Sequence, residues 1–426
     1  MIALKRIFLP ISLLASNAAW LFSAELLAKL SRIITIIVLA FSLSPTAYGT
    51  AMLALACHDI LALLLRAGAG TQVIRCKEAM LPSYARNGAS IQWAICIILA
   101  ATQYYIAHII AQWYDNQDLI LLLKVMAMTY LCYPWVSINV FLLQRTCQMR
   151  YFSIRNGLCV TAENLSIALF AWWQCDFMAV AYGKVVFSLL WLIVFWRAPV
   201  KHYGIGCNPK VLRHLLRMSR QLVSIELLRA LRLHTDTIIA AKVMSPELFG
   251  LYSFAKNAGI GLSQSISNVF NSALFPFLCK LQRQKKLEAQ RNVIYLVAVM
   301  VGFIFVFQAL LAPIYMPILF GQKWLHLAPV VSVMCLIALP TVIVDTCCCF
   351  ERAQARLSNE IVTRFIYLLF FLIALLLTSP TTPMLFAIAM LIGGALGSIS
   401  IYFGHHIIAG LTQKFTIFHR RKYHEY

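Results

Sequence analysis

Acidic side chains are scarce in this sequence. Asp and Glu number 15 in 426 residues, and charged residues of both signs make up 12% of the chain. A soluble domain carries about twice that charged fraction, so a water-facing globular fold is excluded. Also missing are the spacings that hold metals or nucleotides. The thirteen cysteines include no CxxC pair, and the ten histidines show no HxxxH or HExxH pattern. No GxxxxGK[ST] loop is present, so ATP is not expected as an energy source. The stretch AGAGT at 67–71 follows an apolar helix rather than a strand and reads as a helix stop. No cofactor and no metal ion are expected, and Cys347-Cys348-Cys349 reads as small apolar packing.

Apolar residues fill the place of the missing charges. They make up 61% of the chain, and the mean hydropathy is +0.79. A membrane helix needs about 20 mainly apolar residues, and twelve such segments follow one another from 20–43 to 384–410. The fold expected is all-α and polytopic, with about twelve transmembrane helices. Of the 36 Lys and Arg, 27 fall in the termini and the even-numbered connections, and only Lys323 falls in an odd-numbered one. That asymmetry is the positive-inside pattern and places both termini in the cytoplasm of a bacterial inner membrane. The net charge of +21 thus marks topology and affinity for membrane lipid, not nucleic acid. Residues 1–20 imitate a secretory signal, but cleavage would contradict the charge pattern, so they read as retained.

An internal match at a spacing of 201 residues organises the chain. Residues 23–49 (SAELLAKLSRIITIIVLAFSLSPTAYG) and 224–250 (SIELLRALRLHTDTIIAAKVMSPELFG) agree at ten of 27 positions, including Glu25/Glu226, Ser44/Ser245, Pro45/Pro246 and Gly49/Gly250. A weaker echo at a spacing of 206 pairs Pro134, Gln148 and Arg150 with Pro340, Gln354 and Arg356. Two six-helix lobes, 1–197 and 221–426, are expected, related by a parallel repeat and joined by a basic linker at 198–220.

Eight cations fall inside or at the edges of spans: Lys29, Arg32, Lys124, Lys184, Arg229, Arg232, Lys242 and Lys256. A charge costs roughly 2.5–3.5 kcal/mol at a helix centre, so such residues face a partner or a cavity. Glu25, Lys29 and Arg32 share one helical stripe, as do Glu226, Arg229, Arg232 and Asp236. The bland reading pairs Glu25 with Lys29 and Glu226 with Arg229. The sharper reading makes Lys29, Arg32, Lys184, Arg229, Arg232 and Lys256 a cationic substrate-binding lining. Glu25, Asp59, Glu226, Asp236 and Asp345 are then coupling groups or ion-pair partners; Asp59, Glu163 and Asp345 are available to cations that lack a local acid.

GAGTQVIRCKE (68–78), DTIIAAKVMSPELFGLYSFAKN (236–257), ALFPFLCKLQ (273–282) and PILFGQKWLHLAPVVSVMCL (317–336) resemble the polysaccharide transporter family of O-antigen (Wzx-type) flippases. Its superfamily also holds multidrug extruders and the peptidoglycan-precursor flippase. The resemblance spans roughly residues 20–410. It implies alternating access, a polyprenyl-diphosphate-linked oligosaccharide as cargo, and polymerase or other assembly proteins as neighbours. The alternatives are a multidrug or cation antiporter of the same superfamily and a membrane polymerase or glycosyltransferase. An exporter of cations would want an acidic cavity, and an enzyme of this pathway needs a large outer loop that the short outer connections do not supply.

Overall fold

A computed structural model describes residues 26–422, apart from 67–69, 77, 147, 175, 284–286, 288 and 355. Glu25, Ser23 and the signal-like first twenty residues lie outside the described residues. Within them the chain is helical and contains no strand. The helices are α1 (26–42), α2 (Pro45–Arg66), the short α3 (Gly70–Arg75), α4 (Leu81–Trp113), α5 (Asp118–Met128), α6 (Pro134–Arg145), α7 (Met149–Gln174), α8 (Ala179–Trp196) and α9 (Pro209–Val243). They continue as α10 (Pro246–Arg283), α11 (Arg291–Phe320), α12 (Ala328–Leu336), α13 (Ala338–Ala353), α14 (Leu357–Thr378) and α15 (Pro383–Lys422).

In their described residues, the twelve apolar segments lie on these helices or on broken pairs of them. On length and composition alone seven helical stretches qualify as spans among the described residues, or eight if the bent pair α5–α6 counts as one. Charge is what removes α9: four cations in its first three turns and more beyond interrupt the apolar run. Lipid-facing surface is plain on α11, where Phe303, Phe307, Leu310, Ile314 and Ile318 are 59–74% exposed along one side. Apolar side chains so ordered and so bare need hydrocarbon around them.

The packing divides the chain between Phe254 and Ala255, inside α10. In the first unit, α9 and the opening turns of α10 pack with α1–α8; the second unit is built from the rest of α10 with α11–α15. The halves of the sequence repeat and the packing units are therefore different divisions of the chain.

The repeat itself recurs as geometry. Leu43 N–H donates to the Leu39 carbonyl and Met244 N–H to that of Ala240; Tyr48 N–H donates to Ser44 O, Phe249 N–H to Ser245 O. The Ser44 hydroxyl caps Ala47 N–H, and the Ser245 hydroxyl caps Leu248 N–H. Every one of these pairs is offset by 201. Serine caps the new helix and proline fills the first turn, where its missing donor costs nothing. The two copies of the turn also touch: a Cβ on Gly49 would lie 3.2 Å from the Gly250 Cα, and one on Gly250 would overlap the Pro45 carbonyl oxygen. Only glycine admits that approach.

The 206 echo is out of register in space. Thr146 and Gln148 N–H close the end of α6 on Leu142 and Leu143; Gln354 and Arg356 close α13 on Phe350 and Glu351. That offset is 208, so the second copy has gained 208 − 201 = 7 residues between the first hairpin and this point. Pro134 has no N–H for the turn before it, and the α5–α6 pair bends by 55° there. In the second copy the corresponding stretch, Gln322–Ala353, holds as one apolar run across α12 and α13.

The motif Phe-Gly-x-x-Trp has a local explanation. Gly321 takes φ 82° at the end of α11, a conformation that other residues rarely adopt. The reversal seats Phe320 and Trp324, 2% and 1% exposed, in the core of the second unit.

Candidate functional site

The first unit carries a charged cluster between three helices. Lys184 on α8 reaches Glu163 on α7 at 3.0 Å and Asp59 on α2 at 3.3 Å. The cation is not without acidic partners once the chain is folded: the two carboxylates are brought from 125 residues upstream and from the adjoining helix. Lys184 is therefore removed from the set of unengaged cations, and its ammonium bridges two acids instead. The site is half open, with the Asp59 side chain 38% exposed and that of Glu163 12%. His234 on α9 lies within electrostatic reach of Asp59.

Beside it, His58 turns the other way. Its Nδ1 is 3.1 Å from Gln103 Oε1, and its ring stacks on Tyr130 with centroids 4.8 Å apart. The Gln103 amide is oriented by donation to the Leu123 carbonyl at 2.8 Å, and the Tyr130 hydroxyl lies 2.8 Å from Gln103 Oε1. The amide oxygen thus faces His58, which fixes the proton on Nδ1. This polar knot ties α2, α4 and α5 together and holds Asp59, the next residue, at its angle.

Helix α1 is fastened to α7 by one amide. Asn164 donates to the Ala28 carbonyl at 3.1 Å and to the Ser31 hydroxyl at 2.9 Å, while Thr35 donates to the Asn164 carbonyl at 2.7 Å. With Ser31 and Thr35 turned to α7, Arg32 is left exposed, and it has no ion-pair partner among the described residues. Lys29 is half-buried one turn earlier.

On α9 the bland pairing is present: Arg229 lies 3.5 Å from Glu226. Asp236 is buried and accepts from the Tyr252 hydroxyl at 2.6 Å, which ties α9 to α10. Arg232 and Lys256 are half-buried. Of the other span cations, Lys242 donates to the Trp113 carbonyl at 2.6 Å and stands over its ring, and Lys124 lies over Tyr104.

Asp345 lies in the second unit and belongs to a different assembly. It is 3.4 Å from Arg364, and Arg364 and Arg352 share the carboxylate of Glu360, which is fully buried. Asn359 donates to Glu351 across the same connection at 2.9 Å. Sequence reasoning passed over Arg352, Glu360 and Arg364 as connection charges, although Glu360 and Arg364 stand at i, i+4. Glu163 reads from the sequence only as an available acid. His58, Gln103, Tyr130 and Asn164 are ordinary polar residues in apolar helices and carry no motif.

A family model for polysaccharide biosynthesis proteins matches residues 38–329, more than half of the chain. The chain belongs to that family. Its resemblance to Wzx-type polysaccharide transporters extends to a named relative, the lipopolysaccharide biosynthesis protein WzxC of Escherichia coli K12. The two are 22% identical over 250 residues, which is 57% of this chain and 50% of WzxC. The chain thus spans half the length of that curated relative in the match. In fold this family member is similar to the lipid II flippase MurJ in an inward closed conformation: TM-score 0.72, 11% identity, 91% of this chain and 87% of MurJ. It is also similar to an inward-facing multidrug-resistance MATE transporter of the MOP superfamily: TM-score 0.70, 14% identity, 93% of this chain and 99% of that one. This polysaccharide biosynthesis protein thus shares the all-helical fold of those two structures, with seven or eight stretches among its described residues long and apolar enough to cross a membrane.

Proposed function

We propose that the protein flips a polyprenyl-diphosphate-linked oligosaccharide across the bacterial inner membrane by alternating access, with both termini in the cytoplasm. The lobes that alternate are residues 1–197 and 221–426, joined by 198–220. The observation that carries the reading is the family match together with two cations on α1, half-buried Lys29 and exposed Arg32, in a mainly apolar helix. A guanidinium left bare there, at a cost that insertion normally selects against, calls for an anion that comes and goes.

In this reading Lys29, Arg32, Arg229, Arg232 and Lys256 neutralise the diphosphate while the prenyl tail stays in lipid. Lys184 serves with Asp59 and Glu163 as a coupling group; Glu25, Glu226, Asp236 and Asp345 act as ion-pair partners. An inside-negative potential assists outward movement of the diphosphate by about 2.3 kcal/mol per charge per 100 mV, so no ATP is needed. A surplus of cations suits a cationic drug poorly, which sets the antiporter reading aside.

The test is surface polymer measured in the same cells as protein abundance. Arg32→Ala, Arg232→Ala together are expected to abolish export at normal abundance, and lysine to restore part of it, since it keeps charge but loses the planar fork. Normal export by the double variant would end the cationic-lumen reading.

A further inference from the structure

The first three turns of α9 carry Lys210, Arg213, Arg217 and Arg220, all exposed. Their spacings of three, four and three residues put them within about 80° of one another, a stripe about 15 Å long. The opposite side of the same turns is apolar and occupied: Leu215 is buried, with Val211 and Leu212 beside it, against Val73, Tyr84, Ile138 and Leu142. Arg86 and Lys201 add two more exposed cations alongside. Among the described residues none of these six has an ion-pair partner.

The stripe is held in place. Just before α9, Gly206 N–H donates to the Arg86 carbonyl at 3.1 Å and Ser90 donates to the Gly206 carbonyl at 2.6 Å. Asn208 N–H donates to the side chain of Asn87 at 2.7 Å. A Cβ on Gly206 would lie 2.8 Å from the Arg86 Cβ. Orientation in the membrane needs positive charge in this connection but neither docking nor a single face, and a loose loop would serve as well. The placement also runs against the helix itself. α9 has no acid in its first turn, whereas the field at a helix start favours anions and disfavours cations. A local preference overridden so consistently marks a functional surface.

We infer that this basic face of α9, with Arg86 and Lys201, is the loading surface for the diphosphate head of the lipid-linked cargo before it enters the lumen. The inference rests on the flippase reading above and adds a site to it. Guanidinium forks match phosphate oxygens in pairs. α9 runs on without a break from Arg220 to Arg229 and Arg232, nine and twelve residues further along, so one helix carries both the basic face and the cations of the span. A bilayer's own anionic lipids sit at one depth and would need no stripe directed along a helix that continues into a span.

The experiment uses the full-length protein in nanodiscs of phosphatidylcholine, with geranylgeranyl diphosphate as the probe. Wild type is expected to bind it, and Arg213→Gln, Arg217→Gln to bind about a hundredfold more weakly, near tenfold per guanidinium, with an unchanged melting temperature. Arg86→Gln, on a different helix, is expected to weaken binding independently, and Arg213→Lys, Arg217→Lys to recover part of the loss. Phosphatidylglycerol and inorganic pyrophosphate at equal concentration are expected not to displace the probe. A glutamine double variant that binds within tenfold of wild type overturns the loading surface and leaves the flippase standing. Displacement by phosphatidylglycerol overturns it in favour of a general anionic-lipid contact. Wild type that fails to bind the probe at all overturns both.

Discussion

The two units bury the same kinds of charge in different surroundings. In the first, one ammonium, Lys184, spans two carboxylates from separate helices, and Asp59 stands 38% exposed. In the second, two guanidiniums converge on Glu360, whose carboxylate has no exposure at all, with Asp345 and Glu351 completing the group at the α13–α14 connection. Each set carries one acid more than its cations. A dry carboxylate that satisfies two forks at once cannot exchange partners without leaving buried charge unpaired. The half-open one can take up water, a proton or a different cation. Residue type alone therefore does not separate a structural clamp from a working site; hydration and the number of anchoring bonds do.

The largest effect is expected at the clamp. Glu360→Ala strips both arginines of their shared acceptor and should cost about 3–5 kcal/mol; abundance in membranes and melting in detergent should collapse together. Replacing Arg352 and Arg364 as well should recover part of the loss. An abundant, stable Glu360→Ala protein would remove the structural reading of the second cluster.

The two copies of the repeated turn permit a finer comparison. Gly250→Ala places a methyl against the Pro45 carbonyl, which is backbone and cannot yield, and should cost about 1–3 kcal/mol. Gly49→Ala meets the Phe249 ring at 2.9 Å and the Gly250 backbone at 3.2 Å, a looser approach than that of Gly250 to Pro45, and should cost less. Gly204→Ala, with nothing within 4 Å, is the neutral control. Equal melting temperatures for the first two would show that the copies part easily.

Lys184→Met leaves Asp59 and Glu163 without their cation. Because the Asp59 side chain is 38% exposed, the stability loss should stay near 1–3 kcal/mol, below that of Glu360→Ala, while export falls steeply. Adding Asp59→Asn should recover stability and not export. If abundance falls as far as with Glu360→Ala, the contrast between the units breaks.

The smallest effect is expected at Glu78. It lies 2.8 Å from Arg145 but is 82% exposed. Arg145 still donates to the carbonyls of Val73 and Ile74, which fastens α3. Glu78→Ala should change stability by less than about 1 kcal/mol, read as melting temperature; a larger drop would mean that exposed pairs carry weight in this fold.

Much of this was legible in the order of residues. Apolar runs of span length, the Ser-Pro-x-x-aromatic-Gly turns and the Phe-Gly-x-x-Trp stop act within a few neighbours, so local chemistry determined the helices and where they end. The same is true of the repeat, whose capping hydrogen bonds recur at the spacing read from the letters. Partnership was not legible. Lys184 meets Asp59 across 125 residues, Asn164 meets Ala28 across 136, and Asn208 meets Asn87 across 121. Nothing in a helical pattern says which neighbouring helix a polar side chain will face, because that follows from how the helices pack. Nor does the pattern say how far the pair is exposed, and that decides whether the charge is locked into the fold or can exchange partners. Sequence determined where the charges are; tertiary structure decided which of them are engaged.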